Sequence, residues 1–143
     1  MLGAQFSNPA VLRGGNWQIG MKKILIIEDD PFLSEMYSAK FSQSGFQTEL
    51  ATDGKLGLEK IKTSQPDLVL LDIVLPKIDG FEILKEIKED SKLKKIPVIL
   101  LTNLGQKNEV EKGLALGADE YIIKAHFTPT AVVAKVKEVL GMS

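Results

Sequence analysis

Between residues 24 and 140 the chain alternates short apolar runs with amphipathic segments, and it does so five times in succession. Four of these runs are largely apolar and too short for a stable helix, which is typical of a strand buried on both faces of a sheet. The second run, 46–51, is weaker and alternates between apolar and polar side chains. The predicted strands are 24–27, 46–51, 67–72, 97–101 and 120–123.

The segments that follow these runs place apolar side chains at helical spacing. Phe32, Met36 and Tyr37 fall on one face of the first such segment. Pro31 suits the first turn of that helix, where no N–H group is needed, and Gly45 suits its end. The predicted helices are 31–44, 54–64, 81–91, 106–116 and 128–140.

Five strands, each followed by a helix, predict an α/β fold. Because βα crossovers are right-handed, this (βα)5 order favours a doubly wound parallel five-stranded sheet with helices on both faces. Ligands of such sheets bind outside the carboxyl ends of the strands. Candidate functional residues are therefore sought at those ends.

Composition excludes several classes of site. The chain has no cysteine and one histidine, which rules out disulfides, zinc–thiolate sites and multi-histidine metal centres and disfavours a Ser-His-Asp hydrolase. A formal net charge of -1 indicates neither a nucleic-acid nor a membrane partner. Since no apolar run approaches the roughly 20 residues of a membrane span, we expect a soluble, single-domain, cytoplasmic protein.

The first twenty residues differ from the rest of the chain. They are rich in glycine, carry one charged residue and lack the pattern of a signal peptide. We interpret residues 1–20 as a flexible N-terminal tail, either an expression remnant or an upstream extension, and 21–143 as one domain. The alternative is that Trp17 pins the tail to the domain or to a partner.

Polar groups follow four of the five predicted strands. The first strand is followed by Glu28 and Asp29, the third ends in Asp72, the fourth leads to Thr102 and the fifth to Lys124. The three carboxylates would repel one another unless a cation lay between them. Oxygen ligands without histidine or cysteine favour Mg²⁺ or Mn²⁺ over zinc.

A divalent cation, a lysine and a hydroxyl together indicate a phosphoryl-binding site. The cation and Lys124 would neutralise phosphoryl oxygens, and Thr102 would donate a hydrogen bond. No glycine-rich nucleotide motif is present, so no nucleotide cofactor is predicted. The phosphoryl group must then come from a source other than tightly bound ATP.

These residues stand in five motifs that resemble the receiver domain of two-component response regulators, the CheY-like proteins. The resemblance covers residues 22 to about 141 and includes the offsets from Asp72 to Thr102 and to Lys124. It implies a receiver domain over 21–143 with the flavodoxin-like strand order 2-1-3-4-5. The motifs are ILIIEDDP (24–31), PDLVLLDIVLP (66–76), DGFE (79–82), PVILLT (97–102) and GADEYIIK (117–124).

The resemblance assigns roles to the acidic residues. Asp72 would be the phosphoacceptor, which attacks the phosphohistidine of a sensor histidine kinase or a histidine phosphotransfer protein. Asp29, Asp72 and the backbone carbonyl of Val74 would bind Mg²⁺ directly, or Mn²⁺ in its place. Glu28 would act on the cation through water.

The resemblance also implies a switch. Lys124 would pair first with Asp72 and then with the phosphoryl group, Thr102 would move toward a phosphoryl oxygen, and Tyr121 would turn inward. The fourth helix, fifth strand and fifth helix would form the output surface for an unknown downstream protein. The chain would thus be a signalling switch and not an enzyme, a stand-alone receiver that is a monomer or a phosphorylation-dependent dimer without direct nucleic-acid or membrane binding.

Four positions depart from the family pattern. Ala125 stands where a proline commonly follows the lysine, and Asn103 replaces a small residue. Val74 and Leu104 are apolar where polar residues of other members can position hydrolytic water. We therefore predict a long-lived aspartyl phosphate and slow self-catalysed dephosphorylation.

Other interpretations stay open at this level. Glu28 and Asp30 can be read as solvated loop acids. The chain can be a receiver fragment of a larger regulator, or a degenerate receiver that serves only as a docking module. A Mg²⁺-dependent phosphohydrolase with Asp72 as nucleophile is a further class, although the Asp-x-Asp pattern is absent at residues 72–74.

Overall fold

Five parallel strands alternate with five α-helices in the computed structural model, which describes residues 21–103 and 107–142. The ten predicted elements are all present, with ends shifted by a residue or two. The predicted tail 1–20, Leu104 and the predicted first residue of the fourth helix lie outside the described residues. The elements are β1 Lys23–Ile27, α1 Pro31–Gln43, β2 Gln47–Ala51, α2 Gly54–Ser64, β3 Leu68–Asp72, α3 Gly80–Glu89, β4 Val98–Thr102, α4 Lys107–Ala115, β5 Glu120–Ile123 and α5 Pro129–Val139.

The strands form one sheet in the order β2-β1-β3-β4-β5, and every neighbouring pair is parallel. This confirms the doubly wound fold and the implied strand order. The register pairs Ile27 with Leu71 and Thr102 with Ile123. Because the strands end in register, the residues that follow them meet at one edge of the sheet, as predicted.

Helices cover both faces of the sheet. Successive strand residues point to opposite faces, so Ile24 packs under α1 and α5 while Leu25 packs under α2 and α3. Strands β1, β3 and β4 are buried almost throughout, which explains their continuous apolar runs. The helical side chains buried against the sheet include Tyr37, Phe41, Val132 and Val136 on one face and Ile61, Ile83, Leu84 and Ile87 on the other.

Four of the helices that begin at the functional edge of the sheet are capped by side chains of their preceding loops. Asp30 accepts from the backbone N–H groups of Phe32 and Leu33, at 2.9 and 3.4 Å, and so caps α1. Asp30 is exposed in the loop before α1, as expected for a solvated loop acid, and its capping contacts give it a structural role in addition. Comparable caps begin three more helices: Asp53 for α2, Asp79 for α3 and Thr128 for α5.

Two local features differ from the predictions. Strand β2 lies at the edge of the sheet and is half-buried at four of its five positions, not alternately buried and exposed as its sequence suggests. Lys124–His126 form a short 3-10 turn, where a loop was predicted. None of the described helices has the length and apolar character needed to cross a bilayer.

Candidate functional site

Three carboxylates gather where β1 and β3 end. Glu28, Asp29 and Asp72 each offer an oxygen, and these oxygens all lie within 4.8 Å of one another. Glu28 is fully buried and Asp72 is 4% exposed, whereas Asp29 faces solvent. The interpretation of Glu28 as a solvated loop acid is therefore wrong, because its position directly after a buried strand takes it under the site.

Lys124 reaches into this cluster from the end of β5. Its Nζ lies 2.8 Å from Oδ2 of Asp72 and 2.6 Å from Oε1 of Glu28. The lysine side chain is only 10% exposed. The pairing with Asp72 agrees with what the resemblance implies, while the pairing with Glu28 was not predicted from the sequence.

Burial and charge oppose each other at these groups. Burial raises the pKa of Glu28 to about 7, although its contacts with Lys124 and the backbone of Asp30 act in the lowering direction. Burial alone would lower the pKa of Lys124, but the carboxylates of Asp72 and Glu28 outweigh it and hold that pKa above its ordinary value. Lys124 is therefore charged at neutral pH, and Glu28 is easily protonated when no further cation is near.

Both oxygens of Asp72 have partners within the described residues. Oδ2 accepts from Lys124, and Oδ1 accepts from the backbone N–H of Val74 at 3.1 Å. These two contacts fix the orientation of the carboxylate at the end of β3. A carboxylate that is buried, paired with a lysine and held in one orientation is suited to in-line attack on a phosphoryl group.

The carboxylates line an open cleft of about 290 Å³. Four carboxylates and a single ammonium group border it, so the cleft attracts cations. Val74 is 67% exposed at its rim, and Asn103 also borders it. The residues that line the cleft are Glu28, Asp29, Asp30, Leu33, Asp72, Val74, Asn103 and Lys124.

The donor set fits Mg²⁺ or Mn²⁺. All available side-chain ligands are hard oxygens. Both oxygens of Glu28 have partners in the described part of the chain: Oε1 lies 2.6 Å from Nζ of Lys124, and Oε2 accepts from the backbone N–H of Asp30 at 3.1 Å. The direct role of Asp29 and Asp72 and the indirect role of Glu28 therefore stay predictions.

Thr102 and Tyr121 lie where the sequence places them. Thr102 ends β4 and is 4% exposed. Tyr121 lies on β5 opposite Leu100 of β4 and is half-buried against the core cluster under α2 and α3. Whether either side chain moves on phosphorylation stays a prediction.

Glu28→Gln is expected to stabilise the cation-free protein at neutral pH. A carboxyl whose folded pKa lies near 7, against 4.5 unfolded, stabilises the fold below pH 4.5 and loses that contribution as the pH rises toward 7. Glutamine avoids the buried charge, so Tm measured in EDTA at pH 7.5 should rise by about 3 to 8 °C, while Mg²⁺ affinity falls. The difference in Tm between Glu28→Gln and the wild type should be larger at pH 7.5 than at pH 5. An equal difference at the two pH values would contradict this account.

A family model described as "Response regulator receiver domain" matches residues 24–137. Among curated proteins, the DNA-binding dual master transcriptional regulator RpaA of a Synechocystis strain is 38% identical over 120 residues, which are 84% of this chain and 49% of that protein. The chain spans about half the length of the curated relatives it matches.

This chain matches a larger share of several solved structures with the same architecture than of these curated relatives. A response regulator from Chloroflexus aurantiacus superposes with a TM-score of 0.79 at 30% identity, over 85% of this chain and 98% of that one. The Mn²⁺-bound form of response regulator Rcp1 superposes with a TM-score of 0.72 at 28% identity, over 81% of this chain and 91% of that one.

Proposed function

This chain belongs to the response regulator receiver family of two-component signalling, and on that premise we propose that Asp72 accepts a phosphoryl group from a phosphohistidine. The donor would be a sensor histidine kinase or a histidine phosphotransfer protein. The observation that carries the proposal is the buried Asp72 carboxylate, held between Lys124 and the Val74 N–H beside two further acids. Burying several charged groups costs free energy, and a domain that served only as a docking module would gain nothing from that cost.

The transfer is an in-line displacement at phosphorus. A carboxylate oxygen of Asp72 forms the new P–O bond as the P–N bond to the donor imidazole breaks. The imidazole keeps the electron pair of that bond and takes up a proton, and Asp72 becomes an acyl phosphate. Such a reaction needs positioning and charge neutralisation more than a strong nucleophile.

Asp29, Asp72 and the carbonyl of Val74 would hold Mg²⁺, with Glu28 acting through water. The cation supplies positive charge to the phosphoryl oxygens. The Mn²⁺-bound form of the structural neighbour Rcp1 supports a divalent cation in this fold. The Lys124 ammonium, 2.8 Å from Asp72 beforehand, would neutralise a second phosphoryl oxygen.

The acyl phosphate would act as a switch. It adds nearly two negative charges and three acceptor oxygens, to which Lys124 and the hydroxyl of Thr102 would bind. Moving the protein from mostly inactive to mostly active requires roughly 3–5 kcal/mol, which a few charge-assisted hydrogen bonds supply. The readout would be the surface of α4, β5 and α5, with Tyr121 turning inward, for a downstream protein partner.

Intact-mass spectrometry after incubation with acetyl phosphate tests the proposal. With Mg²⁺, the protein should gain one phosphoryl group, and with EDTA in place of Mg²⁺ the gain should nearly disappear. Acetyl phosphate replaces the kinase, so the test requires only the chain itself. No adduct at any Mg²⁺ concentration would favour the degenerate docking module instead.

The aspartyl phosphate is expected to be long-lived. Val74 is exposed at the rim of the cleft and offers no hydrogen bond from its side chain to an attacking water. Val74→Asn should therefore shorten the lifetime of the adduct by about 3- to 10-fold, which is less than a general base contributes, because an amide orients a water molecule without accepting its proton. Decay is followed by intact mass after removal of the donor. Loss of the wild-type adduct within seconds would contradict the prediction.

The relatives leave a second arrangement open for the whole protein. Curated relatives such as RpaA are about twice the length of the matched region, and RpaA is named as DNA-binding. If this receiver is a fragment of a larger regulator, phosphorylation of Asp72 would control an attached output domain through the same α4–β5–α5 surface. The chemistry at Asp72 is unchanged in either arrangement.

A further inference from the structure

The loop between β3 and α3, residues 73–79, borders the site and is fixed at its far end. The backbone N–H of Gly80 donates to the carbonyl of Ile73 at 2.9 Å. A Cβ on Gly80 would overlap the carbonyl oxygen of Asp72, so only glycine allows α3 to begin this close to the end of β3. The two ends of the loop therefore lie close together at the end of β3.

The middle of this loop has an unusual backbone. Ile78 donates its N–H to the carbonyl of Pro76 at 2.9 Å, which closes a three-residue turn around Lys77. Lys77 has a φ of 72°, a region that side-chain-bearing residues seldom occupy. Such a turn persists only where surrounding contacts hold it.

The N-terminus of α2 supplies those contacts. The N–H of Gly54 donates to the same Pro76 carbonyl at 3.2 Å. A Cβ on Gly54 would lie far inside van der Waals contact with the carbonyl oxygen of Ile78. Asp53, which caps α2, also lies 3.6 Å from Nζ of Lys77. Two backbone groups of the turn are thus packed directly on the first residue of α2.

We propose that Gly54 is a positioning residue for the site, because α2 holds the loop that places Val74 beside Asp72. Few residues connect Gly54 to Asp72. Gly54 fixes the turn at Pro76–Ile78. Val74 lies two residues before Pro76, and its N–H donates to Oδ1 of Asp72 at 3.1 Å. The inference rests on the proposed function in one respect, since the same loop would present the Val74 carbonyl to the cation. Gly54 itself touches neither the cation nor the phosphoryl group.

Gly54→Ala and its matched control Gly57→Ala separate positioning from general stability. Both are glycines of the same helix, and an added methyl overlaps in both. At Gly57 it meets only the side chain of Ile27, with the closest carbon at 2.6 Å, whereas at Gly54 it meets the backbone of the loop. Both variants should lower Tm, but only Gly54→Ala should displace Val74.

The measurements are Mn²⁺ affinity by electron paramagnetic resonance and amide hydrogen exchange of residues 74–79 in EDTA. Gly54→Ala should weaken Mn²⁺ binding by about 10-fold or more, as expected for a partner that orients a ligand, and accelerate exchange in the loop. Gly57→Ala should stay within about 2-fold of wild type in affinity and leave the loop exchange unchanged. Equal effects of the two variants would overturn the proposal.

Two further measurements cover other outcomes. If Gly54→Ala does not fold, hydrogen exchange of the wild-type protein tests the proposal instead. The amides of Gly54 and Ile78 should open with the same free energy, because both donate to the Pro76 carbonyl. Independent opening of the two amides would overturn the proposal.

Asp53→Asn keeps the helix cap but removes the ion pair with Lys77, and it should alter Mn²⁺ affinity less than about 2-fold. A 10-fold loss of affinity in this variant would assign the effect to the ion pair and not to Gly54. If wild type binds no Mn²⁺, the proposed function fails, while loop exchange still decides the role of Gly54.

Discussion

Asp72→Asn should abolish the mass gain that wild-type protein shows with acetyl phosphate and Mg²⁺. An amide at this position is nearly isosteric with the carboxylate, but it is not a nucleophile toward phosphorus and does not bind a cation strongly. Lys124 would still pair with Glu28, 2.6 Å away, so we expect the variant to fold. Phosphorylated protein should fall from most of the sample to the background of the EDTA control.

Asp67→Asn is the matched control for this experiment. Asp67 immediately precedes the same strand at its opposite end, is exposed, and accepts a hydrogen bond from the backbone N–H of Lys23 at 2.8 Å. Its substitution changes the net charge by the same amount and should leave the adduct intact. A full adduct in Asp72→Asn would place the acceptor elsewhere and contradict the proposed function.

Lys124→Met should lower the stability of the fold strongly. It leaves Glu28 and Asp72 buried together without a counter-ion, and breaking a buried ion pair in this way costs several kcal/mol. Because Glu28 can take up a proton near neutral pH, we expect a loss of about 2–4 kcal/mol in the free energy of unfolding in EDTA. Mg²⁺ should restore part of this loss, because it then carries the positive charge that the lysine supplied.

Lys135→Met provides the comparison for this variant. Lys135 also contacts two carboxylates, Glu120 at 3.5 Å and Glu138 at 3.2 Å, but on the surface of α5. Its removal should change the free energy of unfolding by less than about 1 kcal/mol and should not make stability depend on Mg²⁺. Urea unfolding with and without Mg²⁺ measures both variants. Equal losses in the two would contradict the electrostatic account of the site.

The fold could be predicted because its determinants are local in sequence. Strands buried on both faces appear as continuous apolar runs, and proline and glycine mark the helix ends, as Pro31 and Gly45 do around α1. The burial of strand β2 was predicted least well, because β2 lies at the edge of the sheet and its sequence does not show that it has a neighbouring strand on one side only. The convergence of Asp29, Asp72 and Lys124 followed from topology alone.

What escaped prediction depends on contacts between loops. The Glu28–Lys124 pair joins the ends of two strands that are not neighbours, and no spacing in the sequence indicates it. The support that Gly54 gives to the Pro76 carbonyl likewise joins two loops. One signal was present in the sequence: a glycine directly after the α2 cap residue Asp53 has no role in helix capping and indicates a close approach.

The central claim is that the phosphoryl group is carried by the side chain of Asp72, and chemical trapping tests it most directly. Borohydride reduces an acyl phosphate on aspartate to homoserine, which tandem mass spectrometry of the proteolysed protein locates by residue. After treatment with acetyl phosphate and Mg²⁺, homoserine should replace aspartate at position 72 and at no other acid. Homoserine at Asp29 or another aspartate, or the corresponding alcohol of a glutamate, with Asp72 unmodified, would contradict the account.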